Sequence, residues 1–181
     1  ICSPNYLHDS HVRFALRSGS DAICEKPVVL NPHNIDGLKE IEAETGNKVN
    51  TILQLRVHPS ITMLRNKLMA EVNPIKYEVK LTYITSRGRW YLQSWKGKED
   101  KSGGIATNIG VHFYDMLHFV FGPVQESIVH LAKPTKAAGY LEYERARVRW
   151  FLSIDVNDVP AHERAKSKRT FRAITANGED I

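Results

Sequence analysis

The 181-residue sequence has no long apolar segment, no secretion signal and only two cysteines. No run approaches the roughly eighteen apolar residues that a membrane-spanning helix needs. The N-terminus also lacks the basic and then apolar pattern of a signal peptide. These absences predict that the protein neither spans a membrane nor is secreted, and they favour a cytoplasmic location. Cys2 and Cys24 lie in separate apolar segments that resemble strands, so we expect buried free thiols rather than a disulfide.

Another absence concerns nucleotide binding. No Gly-x-Gly-x-x-Gly turn follows a first strand, although that turn brings a dinucleotide pyrophosphate to a helix N-terminus. The chain also begins at Ile1 rather than at a methionine. We therefore expect part of a longer protein that starts partway through a nucleotide-binding domain, and weak or no binding of a nicotinamide cofactor by these 181 residues alone.

The chain is basic, with a formal net charge of +5 and a pI near 9.2. Its arginines concentrate in stretches that alternate polar and apolar residues, such as 145–150 and 164–172. In a strand, this alternation places the arginines on one face. The pattern indicates a solvated sheet face or a subunit contact, or else a site for an anionic small molecule such as a nucleotide sugar. Nucleic acid binding would need one continuous basic stripe, and we predict no nucleic-acid partner.

Secondary-structure signals divide the chain near Arg56 to Pro59. The first part alternates strands and helices, which is typical of an α/β layer with a parallel sheet. Long alternating strands dominate from Ile75 onward and predict a mostly antiparallel sheet with one covered and one open face. The sequence predicts helices at 6–18, 33–44, 58–71 and 104–121, a loop at 86–102, and strands at 21–24, 48–55, 75–85, 124–132, 139–154 (with a break) and 169–176.

Two segments each carry a residue that can take part in proton transfer. Lys26 lies between the predicted strand 21–24 and Pro27, and His112 lies on the predicted helix 104–121. A lysine at a strand end and a histidine on a helix can together handle a hydroxyl proton while its carbon gives up hydride. Taken alone, Lys26 would be an exposed surface lysine and His112 a hydrogen-bonded core histidine. The occurrence of both segments in this order favours the catalytic interpretation.

Neighbouring positions on the predicted helix support one ligand site and not a metal site. Asn108, His112 and Asp115 are four and three residues apart, so α-helical spacing places them on one face. His118 is six positions from His112 and points elsewhere. No third ligand accompanies the His8 and His11 pair, so we predict no metal centre.

The loop 86–102 carries three aromatic residues, Trp90, Tyr91 and Trp95. They could stack on a base or a sugar. Alternatively, they fold back onto the core.

The segments 3–5, 25–27 and 103–115, together with His8, resemble the glucose-fructose oxidoreductase/inositol dehydrogenase family over essentially the whole chain. The resemblance implies an α/β fold: the second half of a Rossmann-type parallel sheet in residues 1–57, and an α+β domain with a large, mostly antiparallel open-faced sheet in residues 58–181. It also implies a homo-oligomer, a dimer or tetramer, formed through the open sheet face.

Within that family, segments 54–59, 89–91, 94–97 and 108–113 are most similar to UDP-N-acetylglucosaminuronate 3-dehydrogenases. These enzymes use NAD to oxidise the carbon-3 hydroxyl of a UDP-linked sugar in bacterial surface-polysaccharide (O-antigen) synthesis, before an aminotransferase acts. Many family members have Asp where this chain has Asn108, so a carboxylate role there does not carry over. An amide can still orient a substrate hydroxyl.

The resemblance and the chemistry together assign roles to individual residues. Lys26 and His112 are the predicted catalytic pair: His112 accepts the hydroxyl proton and Lys26 stabilises the alkoxide, or the reverse. The predicted cofactor-lining residues are Ser3, Pro4, Asn5, His8, Glu25, Lys26 and Arg56. Asn108 would hold the sugar, together with Lys26 and His112. Charge and loop position suggest Arg89 and Lys96 for its carboxylate or diphosphate.

Two alternatives stay open at this point. The chain could be a non-catalytic folding and oligomerisation module, for which the missing phosphate-binding glycines argue. It could also belong to a dehydrogenase of another sugar or of a polyol in the same family.

Overall fold

The computed structural model describes residues 1–72 and 74–181, which form two compact units. The first unit contains residues 1–53 and 91–111, and the second contains 54–90 and 112–181. The expected α/β architecture is present, with a small parallel sheet in the first unit and a larger, mostly antiparallel sheet in the second. The two domains proposed from sequence, 1–57 and 58–181, stay a prediction.

The first unit begins with two helix and strand pairs: α1 His8–Arg17, β1 Ala22–Cys24, α2 Asn34–Thr45 and β2 Val49–Thr51. A short 3-10 turn, Asn5–Leu7, precedes α1. Strands β1 and β2 pair in parallel, with Ala22 opposite Val49. The apolar stripe of α1 packs on this sheet through Val12 and Leu16, which are both fully buried. Gly46 ends α2 in the left-handed conformation, at φ 75°, where glycine carries no steric cost.

Three sequence expectations for the first unit need correction. Strand β2 ends at Thr51, and Gln54–Val57 forms a 3-10 turn where the strand was predicted to continue to Leu55. Ile1 exchanges main-chain hydrogen bonds with Ile23 and Glu25 without forming a strand. Both cysteines are free, but Cys2 is exposed, so only Cys24 is the buried thiol that was expected, with a pKa that burial raises to about 11.

Residues 89–102, expected to be a loop, contain three short helical segments. They are α4 Arg89–Gln93, the 3-10 turn Trp95–Gly97 and α5 Glu99–Ser102. Ser94 caps the middle segment by accepting a hydrogen bond from the Lys96 amide. Each segment has three to five residues, which is too short to give a periodic apolar pattern.

The second unit is built on a six-stranded sheet with the order β4-β5-β6-β3-β7-β8. Its elements are α3 Pro59–Met69, β3 Tyr77–Thr85, α6 Val111–Phe121, β4 Val124–Lys133, β5 Lys136–Tyr143, β6 Ala146–Ser153, α7 Ala161–Arg164, β7 Thr170–Ala176 and β8 Glu179–Asp180. The 3-10 turn Val156–Asp158 follows β6. Only β3 and β6 pair in parallel, and the other described pairs are antiparallel.

One face of this sheet is buried and the other is open, as predicted. Ala146, Val148 and Trp150 of β6 are buried, whereas Arg147 and Arg149 between them are exposed. Helix α6 covers the buried face, and edge-to-face contact joins Tyr114 to Trp150. On the open face, Arg147 forms an ion pair with Glu78, so part of the arginine charge is neutralised within the sheet.

Candidate active site

Lys26 follows the carboxyl end of β1 and is half-buried. Its Nζ donates a hydrogen bond to the main-chain oxygen of Asn108, at 2.5 Å. Burial lowers the pKa of this lysine, the nearby Glu25 carboxylate opposes that shift, and the positive charge of Lys96 adds to it. An ammonium with a lowered pKa loses its proton more readily, which is the property required of a group that exchanges protons near neutral pH.

Asn108 is held on both sides by hydrogen bonds within the first unit. The Nδ2 of Asn5 donates to the Asn108 Oδ1 at 3.1 Å and to the Ser102 main-chain oxygen at 3.0 Å. The Nδ2 of Asn108 donates to the hydroxyl of Tyr91, at 3.0 Å. Asn5, predicted to line the cofactor, and Asn108, predicted to hold the sugar, are therefore in direct contact with each other.

His8 secures the loop that carries Lys26. The imidazole is 1% exposed, and its two nitrogens lie 2.7 Å from the main-chain oxygens of Ser3 and Pro27. Both partners are main-chain carbonyl oxygens, which only accept hydrogen bonds. The predicted cofactor residue His8 thus connects α1 to Ser3 on one side and to Pro27, next to Lys26, on the other. The Ser3 hydroxyl contacts His11 at 2.9 Å.

Arg56 and Asp115 form a bidentate ion pair within the second unit. The Arg56 Nε donates to Asp115 Oδ2 at 2.8 Å, and its Nη2 donates to Oδ1. The guanidinium also lies over the ring of Phe119, 5.6 Å from its centroid. The hydrogen bond with Asp115 raises the pKa of Arg56. Arg56 was predicted to line the cofactor, and in this structure its guanidinium is occupied by Asp115.

His112 is the second residue of α6 and is half-buried. From Val111 onward the helix is α-helical, so the three-residue spacing of His112 and Asp115 holds. The residues before it, Ala106–Gly110, form a π-helical turn instead. Asn108 lies in this turn, so α-helical spacing does not place it on the face of His112. The predicted catalytic pairing of Lys26 with His112 stays a prediction.

The remaining candidates lie in residues 86–102. Lys96 is half-buried, contributes positive charge near Lys26, and lies over the Trp95 ring at 5.6 Å. Arg89 is exposed at the start of α4. Tyr91 is 3% exposed, which favours the core interpretation for this residue, whereas Trp90 is 54% exposed.

The sequence did not indicate two features of the site. One is the hydroxyl of Tyr91 as a partner of Asn108, seventeen residues away. The other is the pairing of Arg56 with Asp115, which are fifty-nine residues apart. No rule of sequence spacing predicts which residue a buried tyrosine will contact, or which distant carboxylate an arginine will pair with. Only the tertiary fold reveals them.

Neither a metal cluster nor a membrane helix appears among the described residues. Within 1–72 and 74–181, no three His, Cys, Asp or Glu side chains are grouped so that they could hold a metal ion. No helix in the same residues is long and apolar enough to cross a membrane.

Two parts of the chain match one family of oxidoreductases. Residues 1–52 match its NAD-binding Rossmann fold, and residues 73–162 match its C-terminal alpha/beta domain. The chain is also similar to curated proteins. It is 28% identical to the D-glucoside 3-dehydrogenase of Escherichia coli over 71% of this chain and 37% of that protein. It is 33% identical to a putative UDP-kanosamine synthase oxidoreductase subunit of Amycolatopsis mediterranei over 68% of this chain and 34% of that protein.

Among solved structures, the WlbA (WbpB) dehydrogenase of Thermus thermophilus in complex with NAD and UDP-GlcNAcA is 54% identical, with a TM-score of 0.94. The alignment covers 99% of this chain and 58% of that protein. The chain thus spans a little over half the length of this structural relative and about a third of the two curated ones.

Proposed function

Since the chain belongs to the oxidoreductase family that joins an NAD-binding Rossmann fold to a C-terminal alpha/beta domain, we propose that it is the catalytic part of an NAD-dependent nucleotide-sugar dehydrogenase. The proposed substrate is UDP-N-acetylglucosaminuronate, oxidised at its carbon-3 hydroxyl. The observation that carries the proposal is the 54% identity, over 99% of the chain, to the dehydrogenase solved with NAD and UDP-GlcNAcA. The reaction would take place in the cytoplasm and supply a 3-keto sugar for surface-polysaccharide synthesis.

The geometry of the first unit fits a bound nicotinamide nucleotide. In open α/β sheets, ligands bind beyond the carboxyl ends of the strands. Glu25 and Lys26 follow the carboxyl end of β1, and Ser3, Pro4 and Asn5 precede α1. We therefore assign these residues to the cofactor side of the site. The bound nicotinamide would supply the hydride acceptor.

The chain's own residues then handle the proton. For the carbon-3 hydride to leave, the hydroxyl proton must pass to a base, and the oxygen carries negative charge after the proton has left and before the hydride has been transferred. His112 accepts the proton and Lys26 stabilises the charge in one arrangement, and their roles are exchanged in the other. The lowered pKa of Lys26 supports the second arrangement, because the lysine then more readily becomes the neutral amine that can accept a proton.

We assign binding of the anionic parts of the substrate to Lys96 and Arg89, by charge. Lys96 has the stronger support, because its charge acts on Lys26 and both residues belong to the first unit. The Asn108 amide, whose two polar atoms are paired to Asn5 and Tyr91, would contact the sugar only through its remaining hydrogen-bonding capacity.

The test is a turnover assay on the protein expressed from its complete reading frame. Absorbance of reduced nicotinamide should increase with NAD and UDP-N-acetylglucosaminuronate, and much more slowly with UDP-N-acetylglucosamine, which lacks the carboxylate. If the protein oxidised a free hexose or polyol but not the uronate, the family assignment would stand and the proposed substrate would be wrong.

We also propose that the open face of the six-stranded sheet forms a homo-oligomer contact. That face carries exposed arginines beside the half-buried Tyr140 and Phe151, a mixed surface typical of subunit contacts. Arg149→Glu should shift sedimentation equilibrium toward the monomer, whereas Lys39→Glu, on the exposed face of α2, should not. Equal mass for all three proteins would exclude this face.

A further inference from the structure

A π-helical turn lies next to the proposed catalytic lysine. Residues Ala106–Gly110 are π-helical, between a short α-helical start and α6. Such turns are rare inside α-helices and are found frequently at functional sites. The Asn108 carbonyl in this turn accepts the hydrogen bond from the Lys26 ammonium. The position of the turn therefore determines where the ammonium is held.

The orientation of the Asn108 side chain follows from one main-chain carbonyl. The Ser102 oxygen can only accept, so the Asn5 atom at 3.0 Å from it must be the amide nitrogen. That nitrogen also contacts Asn108, so the Asn108 atom facing it is the oxygen. The Asn108 nitrogen consequently faces Tyr91, and the tyrosine hydroxyl accepts from it.

These contacts tie two separate parts of the first unit to the side chain of residue 108. Asn5 belongs to the turn before α1, where it is 5% exposed, and Tyr91 belongs to α4, where it is 3% exposed. Buried and paired polar groups hold a single geometry, because leaving either partner unpaired is costly. The side chain of Asn108 is thus clamped while its main chain binds Lys26.

We propose that Asn5 and Tyr91 are positioning residues for Lys26: by clamping the Asn108 side chain they fix the π-helical turn whose carbonyl anchors the ammonium. Neither needs to touch the substrate. The consequence for turnover rests on the proposed function, whereas the anchoring itself does not. It is a property of the free chain and can be measured without substrate or cofactor.

The test measures hydrogen exchange of the Lys26 ammonium by NMR in the 15N-lysine-labelled chain, with the signal assigned by its loss in Lys26→Met. Tyr91→Phe removes one hydroxyl and keeps the ring. It should speed exchange about fivefold, the effect of losing one hydrogen bond of ~1 kcal/mol. Asn5→Ala should act in the same direction. Tyr143→Phe is the matched control: Tyr143 is a fully buried tyrosine of the second unit whose hydroxyl donates to the Tyr114 carbonyl, and it should leave Lys26 unchanged.

Two substitutions of Asn108 itself, one conservative and one disruptive, provide a further comparison. Asn108→Asp keeps an acceptor for Asn5, and Tyr91 can donate to the second carboxylate oxygen, so exchange should stay near that of the unaltered chain. Asn108→Leu keeps neither contact and should behave like Tyr91→Phe or worse. Under the proposed function, Tyr91→Phe should lower kcat several-fold with little change in KM.

Unchanged Lys26 exchange in Tyr91→Phe would overturn the proposal, and so would an equal increase in Tyr143→Phe, because the effect would then be general loosening. Absence of turnover with UDP-N-acetylglucosaminuronate, combined with the expected exchange pattern, would refute the substrate assignment and leave the positioning role intact.

Discussion

Replacing His8 by Ala should destabilise the first unit through the loop that carries Lys26. The imidazole is 1% exposed and contacts the carbonyls of Ser3 and Pro27, each at 2.7 Å. Leaving a buried polar group without its partner costs about 1–3 kcal/mol. The contact with Ser3 is only partly buried, so water can replace the donor there and reduce the cost. We expect the free energy of unfolding to fall by about 2–4 kcal/mol.

The assay is urea denaturation followed by far-ultraviolet circular dichroism, with His11→Ala as the matched control. His11 lies on the same helix, is exposed, and makes one contact with the Ser3 hydroxyl. Its removal should change the free energy of unfolding by less than about 0.5 kcal/mol, as is usual for surface substitutions. If His8→Ala and His11→Ala were equally stable, the contacts of His8 with the Lys26 loop would not contribute to stability.

Three further predictions concern stability and ion pairing. Leu16→Ala, in the fully buried stripe of α1, should cost about 2–5 kcal/mol in the same titration, and a cost below 1 kcal/mol would contradict the packing described. Because the folded-state pKa of Lys26 is lowered, the folded chain binds its proton less well than the unfolded chain, so its contribution to stability should rise with pH up to the unfolded-state pKa. The stability of the unaltered chain relative to Lys26→Met should therefore increase as the pH rises toward 10.5, and a difference independent of pH would be inconsistent with the lowered pKa. Arg56→Lys cannot make the bidentate contact with Asp115, so it should lower the melting temperature about as much as Asp115→Asn does, and no change in either variant would show that the pair is not stabilising.

The elements that the sequence predicted well have long, regular patterns. Val12 and Leu16 lie four positions apart on α1, and both are fully buried. The alternation around Arg147 correctly predicted a sheet with one open face, because side chains along a strand point alternately to opposite sides. Burial of one face constrains many residues at once, so these patterns are redundant and easily recognised.

The features that escaped the sequence depend on single contacts or very short elements. Strand β2 has three residues, and the three helical segments within 89–102 have three to five. The π-helical turn at Ala106–Gly110 differs from an α-helix by its hydrogen-bond pattern and not by its composition. The pairing of Asn108 with Tyr91 joins distant positions through one hydrogen bond, and no periodicity records it.

Part of the candidate site could nonetheless be named in advance. Lys26 was recognised because a strand, a lysine and a proline occur in that order, and the structure places it at a strand end with a lowered pKa. The catalytic pairing of Lys26 with His112 stays a prediction. Variants address it: Lys26→Met and His112→Asn should each lower kcat about a hundredfold to ten-thousandfold with little effect on substrate binding. Near-normal turnover in both variants would refute the catalytic roles of these two residues but would not contradict the proposed substrate.

The most direct measurement of the central claim follows the hydrogen on carbon 3. UDP-N-acetylglucosaminuronate labelled with deuterium at carbon 3 is incubated with NAD and the protein expressed from its complete reading frame, and the reduced nicotinamide is analysed by mass spectrometry. We predict that deuterium from carbon 3 appears in the reduced nicotinamide and that a 3-keto sugar nucleotide is formed. Recovery of the labelled sugar unchanged, or of reduced nicotinamide without deuterium, would contradict it.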